Sequence, residues 1–191
     1  ESLAFLYAFG APEVMRTSLA VVAGRQRDDG MIPGSGITLQ PFDEYACWWA
    51  ALLERFHLLT ADLAFVRDME QPLRRLMLGL VAKLDAGGGF LSIEHRRTWA
   101  WTLERRGVVT GSQCVAFAAL RAGAALLGLL GDRTLAATLA QLAESLRGLI
   151  RERLWDAGRE CFVDSLEAPS DGIPRLSCDS NALAILMGVA T

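Results

Sequence analysis

Residues 42–62, FDEYACWWAALLERFHLLTAD, decide how the chain reads. The stretch opens on an acidic and aromatic cluster of Asp43, Glu44, Tyr45, Trp48 and Trp49. It continues with helical apolar spacing and closes on Thr60, Ala61 and Asp62, a turn that starts the next helix. Two readings of the cluster stand side by side. In the first it is a sugar subsite, where a carboxylate accepts hydroxyl hydrogen bonds and an indole face packs on the C–H face of a pyranose. In the second, Asp43 caps the helix and the tryptophans fill its core. Trp48 and Trp49 point roughly 100° apart on a helix, which leaves one of them to face a cavity.

Outward from this helix the pattern stays helical. Upstream, residues 2–9 read as the tail of a helix broken by Gly10. Pro12 and Glu13 then open a helix running to about Gln26, with Val14, Leu19 and Val22 as its apolar face. Asp28 to Gly36 is a loop punctuated by Asp29-Gly30 and Pro33-Gly34. Downstream, a helix is expected from Asp62 to Leu84, bent at Pro72. Others follow from Val108 to Leu130, closed by Gly131, and from Asp132 to Leu154. Trp155 to Leu166 reads as a small hairpin, with Cys161, Phe162 and Val163 as its strand. A last helix starts near Ser180 and is still running at Val189. Short joins at residues 59–62 and 130–133 alternate with long ones after Gln26, Leu84 and Leu154. That alternation implies antiparallel helix pairs with the long loops gathered at one end. The expected class is all-α, part of an (α/α)6 toroid.

Composition agrees. The chain of 191 residues is 52% hydrophobic and 21% charged, rich in Ala and Leu. Net charge is −3 and Lys83 is the sole lysine, so no basic face for nucleic acid or an anionic membrane is expected. Leu120 to Leu130 is the nearest approach to the roughly 20 apolar residues of a membrane span, and Arg121 interrupts it. Cys47, Cys114, Cys161 and Cys178 are scattered without a CxxC pair, which argues against a stapled scaffold or a metal box. No cofactor is implied. The chain starts on Glu1 and stops at Thr191 directly after an apolar pattern, so it is expected to be a piece of a longer protein.

Two further groups carry possible chemistry. His95, Arg96, Arg97, Trp99, Trp101, Glu104 and Arg105 fill a long irregular segment after Gly87-Gly88-Gly89. They suit either a polar pocket wall or a solvated, salt-bridged loop. Asp164, Ser165, Asp171, Asp179, Ser180 and Asn181 form the other group, where Asp179 or Ser180 reads most simply as the cap of the last helix. Ser112 reads as a helix-start residue.

Taken in order, six pieces resemble the six-hairpin catalytic domain of bacterial α-L-rhamnosidases. They are DDGMIP (28–33), EYACWWAALLERFHLLTAD (44–62), WTLERRG (101–107), VVTGSQCVAFAALRAGAALLGLLGD (108–132), IRERLWDAGRECFVDSL (150–166) and SNALAILMGVAT (180–191). The resemblance implies an (α/α)6 barrel and inverting hydrolysis of terminal α-L-rhamnosides with no required metal. It also implies a general acid before the first residue and a general base after the last, so neither lies in this chain. Residues 1–191 would be the central portion of one catalytic domain, with pocket wall carried over at Glu44, Tyr45, Trp48 or Trp49, and Trp101, while Asp43 and Trp99 beside them complete the candidate substrate-binding set. The partner implied is a carbohydrate. Two positions depart from the family pattern, which usually has Asp where Glu44 stands and Asp before the aromatic at Trp101, where this chain has Ala100. Another six-hairpin sugar specificity, or a non-catalytic toroid that binds sugar or protein, are the rival readings.

Overall fold

The computed structural model describes residues 7–8, 10–34, 42–93, 105, 107–167 and 175–190. Among them the chain is mostly helical, with α1 (Pro12–Ala23), α2 (Asp43–Thr60), α3 (Leu63–Asp68), α4 (Glu70–Ala86), α5 (Thr110–Leu129), α6 (Arg133–Arg153) and α7 (Cys178–Leu186). Two short antiparallel pairs accompany them. β1 (Ser92–Ile93) pairs with β2 (Gly107–Val108), and β3 (Trp155–Asp156) pairs with β4 (Cys161–Phe162).

Local signals set most boundaries. Asp62 caps α3 by accepting from the Phe65 N–H at 2.9 Å, and Asp132 caps α6 by accepting from the Leu135 N–H at 3.1 Å. Gly131, at φ 100°, closes α5. Its N–H reaches the Gly128 carbonyl at 3.1 Å while the Asp132 N–H reaches Leu127 at 2.9 Å, the paired bonds of a Schellman turn. The helix expected over 62–84 is divided at Met69 into α3 and α4. Pro72 has no N–H and its ring crowds the carbonyl of residue 68, so the ladder breaks there rather than bending. The face of α1 differs from the expected one. Met15, Leu19 and Ala23, at fourfold spacing, are buried, while Val14 is exposed. The last helix begins at Cys178, capped by Ser177 rather than Asp179 or Ser180. It ends at Leu186 instead of continuing, because Gly188 at φ 76° turns the chain back.

The helices run in alternate directions. The glycines of α5 show this: a Cβ on Gly128 would meet Ala136, and one on Gly123 would meet Leu139, so later residues of α5 face earlier residues of α6. α2, α5 and α7 pack side by side, with α1 against α2 and with α4 and α6 against α5. α5 lies at the centre, buried over most of its length. By length and composition it is the one described helix able to cross a membrane, where the sequence shows no uninterrupted apolar run of that size. In the fold 67% of its most apolar window is buried by its neighbours, so core packing accounts for that apolarity. The three long connections, residues 24–42, 87–109 and 154–177, lead into the N-termini of α2, α5 and α7 respectively. Those three helices present their N-terminal ends on one side of the molecule.

Two carboxamides fasten the loops to that side. Gln113, near the start of α5, accepts from the Leu91 N–H at 2.8 Å and donates to the Leu91 carbonyl at 2.7 Å. Asn181, near the start of α7, does the same to Phe162, with both distances 2.9 Å. Each side chain satisfies both backbone groups of one residue, as a neighbouring strand would.

Candidate functional site

A cavity of about 440 Å³ opens where the N-terminal ends of α2, α5 and α7 converge. α2 contributes Glu44, Tyr45 and Trp48, α5 contributes Gly111, Ser112 and Val115, and α7 contributes Asp179, Ala182, Leu183 and Leu186. Val109 and Arg105 complete the wall. One part of the lining is therefore aliphatic and aromatic, and the other carries two carboxylates. Glu44 and Asp179 are each the second residue of their helix, where the positive end of the helix dipole favours an anion.

Each carboxylate is held from behind. Glu44 is 4% exposed, and its Oε2 accepts from the Ser112 hydroxyl at 2.9 Å. Asp179 is held by Arg105, which is 1% exposed and whose guanidinium sits between two carboxylates. Its Nε donates to Asp164 Oδ2 at 2.9 Å and its Nη2 to Asp164 Oδ1 at 2.7 Å. Toward Asp179, Nη1 donates to Oδ2 at 3.0 Å and Nη2 to Oδ1 at 2.9 Å. The Ser177 hydroxyl accepts from Nη2 at 2.8 Å, and the Ser180 hydroxyl donates to Asp164 Oδ1 at 2.9 Å. Burial pulls the Arg105 pKa down, but the hydrogen bonds and charges of Asp164 and Asp179 outweigh it and hold the group above its ordinary value. One cation against two carboxylates leaves a net negative charge. Asp164 is enclosed and Asp179 is partly open, so that charge is presented on the cavity side.

The residues expected from sequence separate into three sets. Glu44, Tyr45 and Trp48 line this cavity. Asp43 turns the other way, toward Lys83 Nζ at 3.0 Å and Arg27 Nη1 at 3.8 Å. It stands as the first residue of α2 rather than as its cap. Trp49 is 3% exposed, and its indole N–H donates to the Leu19 carbonyl at 2.9 Å, which pins α1 onto α2. Trp49, together with Tyr45 and Trp48, also borders a second hollow of about 460 Å³ between α1 and α2, so Tyr45 and Trp48 form the partition between the two spaces. Trp99 and Trp101 lie outside the described residues, as does Ala100.

Ser112, Asp164 and Asp179 are cavity or support residues that the sequence alone leaves as a helix start, a hairpin residue and a cap. Arg105 is separated from its two carboxylate partners by 59 and 74 positions, and no spacing rule connects them. The signal was chemical rather than positional: charged residues inside otherwise apolar segments must find partners when buried.

No family model and no curated protein matches the chain. Among solved structures, the crystal structure of a GH78 family rhamnosidase of Bacillus sp. GL1 superposes with a TM-score of 0.82 at 22% identity. That match covers 99% of this chain and 20% of the rhamnosidase. A rhamnosidase from Klebsiella oxytoca with rhamnose bound superposes with a TM-score of 0.73 at 22% identity, covering 96% of this chain and 36% of its own. The chain thus has the fold of a segment of these rhamnosidases over nearly its whole length, and its helices are consistent with part of an (α/α)6 toroid.

Proposed function

We propose that residues 1–191 are the central portion of one (α/α)6 catalytic domain, in a glycoside hydrolase that cleaves terminal α-L-rhamnosides with inversion. In this reading the chain supplies the wall of the sugar pocket. The observation that carries it is the cavity at the N-terminal ends of α2, α5 and α7, acidic on one side and apolar on the other, within a fold shared with two rhamnosidases. Glu44 accepts sugar hydroxyls while Trp48 and the aliphatic lining pack on the C–H face. Tyr45 belongs to the same wall, and Trp99 and Trp101 are assigned a substrate-binding role on the family resemblance and sequence alone. Asp43 and Trp49 hold that wall in position from outside the cavity. Inversion needs two carboxyl groups roughly 6.5–9.5 Å apart with a water between them. The general acid and base are assigned to flanking sequence, so the 191-residue chain by itself is inactive.

The test is to assay the full-length gene product and the 191-residue chain on an aryl α-L-rhamnoside. Turnover by the full-length product alone is expected. Turnover by the isolated chain overturns the placement of the catalytic pair, and failure of both overturns the rhamnosidase reading. A second reading, a six-hairpin glycosidase for another sugar, is favoured by Glu44 and Ala100, where the rhamnosidase pattern has Asp. A panel of aryl glycosides separates the two, and exclusive turnover of the rhamnoside counts against the second.

A further inference from the structure

We infer that Asp179, oriented by Arg105, is a ligand-contacting carboxylate that makes the cavity selective for neutral sugar rings over anionic ones such as uronates. This rests on the proposed sugar-binding role of the same cavity. Three observations lead to it. First, Asp179 lines the cavity from α7, while Glu44 lines it from α2. Both are acceptors only when ionised, so the ring they grip must present hydroxyl donors. Second, the only guanidinium on the described cavity wall is not available to an anion. Arg105 donates to Asp164, Asp179 and Ser177 through all three of its nitrogens, and both carboxylates face it in fork geometry. Third, the cluster of Arg105 with Asp164 and Asp179 is one charge negative. Asp164 is enclosed, so Asp179 carries that charge toward the ligand. A uronate carboxylate entering here meets like charge from Asp179, whose guanidinium partner is already shared with Asp164. A neutral ring loses nothing by the same arrangement.

Arg105 acts through Asp179 and is a positioning residue. With two oxygens fixed by the guanidinium fork, Asp179 is locked in one rotamer, so it meets the ligand without an ordering cost at the moment of binding.

The experiment uses the full-length gene product and its Asp179→Asn and Asp179→Glu variants. Kinetics on 4-nitrophenyl α-L-rhamnoside are combined with competitive inhibition by L-rhamnose and by D-glucuronate, and melting temperature is the control for folding. Asp179→Asn keeps an oxygen for Arg105 but removes the charge. It is expected to raise KM and the L-rhamnose inhibition constant by about tenfold or more while kcat falls less. It should also tighten D-glucuronate relative to L-rhamnose. Asp179→Glu restores discrimination against glucuronate. Unchanged inhibition constants for both sugars in a normally folded Asp179→Asn variant overturn the inference. If Asp179→Asn does not fold, the wild type decides, because glucuronate inhibiting it as well as L-rhamnose overturns the inference equally. If the wild type hydrolyses no rhamnoside, the proposed function falls. The inference is then read by ligand-observed NMR with L-rhamnose, D-glucose and D-glucuronate. Binding of a neutral sugar in preference to glucuronate supports it, and any other pattern overturns it.

Discussion

Two ionic clusters flank the N-terminus of α2, and they differ in kind. On one side Arg105 joins Asp164 and Asp179 inside the protein. On the other, Lys83 and Arg27 meet Asp43 and Asp29 near the surface. The chemistry is the same, but the environment is not. The Arg105 side chain is 2% exposed and the Lys83 side chain 31%. Water screens Lys83, Arg27 and Asp29 of the second cluster and lets them stay solvated if a partner leaves, with Asp43 the least exposed member at 14%. It offers no such refuge to the first, where a lost partner strands a charge in the interior. The adjacent residues Asp43 and Glu44 fall on opposite sides of this divide. The buried cluster borders the cavity, while the exposed one braces the loop at residues 24–34 and the C-terminal end of α4 against α2.

Arg105→Ala is the largest test of that contrast. It leaves Asp164 and Asp179 facing each other without a cation, and a loss of about 3–5 kcal/mol in denaturant unfolding is expected. A loss under about 1 kcal/mol would mean that the cluster opens to water. In acid the comparison moves to Asp132, whose carboxyl is held below the usual carboxylate range. The cause is first the Leu135 N–H; desolvation pulls the other way, and the hydrogen bond and charge of Arg74 add to the lowering. The folded value lies below the unfolded one of about 3.9, so its contribution is present above that pH and is lost as pH falls through the folded value. Asp132→Asn keeps a capping oxygen but loses the charge, so it should lower stability at neutral pH and thereby flatten the acid limb of the stability profile. Lys83→Met is the small-effect counterpart to Arg105→Ala. A change of about 0–1 kcal/mol is expected, shrinking further in 1 M salt. A salt-independent loss as large as that of Arg105→Ala would erase the distinction between the clusters.

The smallest perturbation is a label. Cys47 lies on α2 just past Glu44. Burial first, then Asp43 and Glu44, push its thiol up, and Cys114 is pushed up to about 12 by burial. At pH 8 an alkylating agent should modify exposed Cys178 while sparing Cys47 and Cys114, with all four reacting after unfolding. Cys47 labelling in the folded Lys83→Met variant would show that the surface cluster, and not only the buried one, keeps the end of α2 closed.

The order of helices and their turns were legible because each rests on contacts within a few residues. Asp62 and Asp132 cap the helix directly after them, Gly131 turns the chain it sits in, and Pro72 removes a bond from its own ladder. Glu44, Tyr45 and Trp48 were legible as one group for the same reason, since a helix fixes which neighbours share a side. On α1, Leu19 is buried as expected but Val14 is exposed, because Val14 and Met15 are both apolar and adjacent. Only the position of α2 decides which of them is covered.

What the sequence determined by itself was therefore the helical class, the pairing of helices and the acidic aromatic start of α2, all set by short-range sterics, capping and periodicity. Tertiary structure alone decided that Asp43 turns to Lys83 while Glu44 turns to Ser112, that Trp49 is core and Trp48 part of a partition, and that Arg105 finds Asp164 and Asp179. A buried charge requires a partner, but its own neighbourhood in the chain does not say which distant residue will be folded within reach.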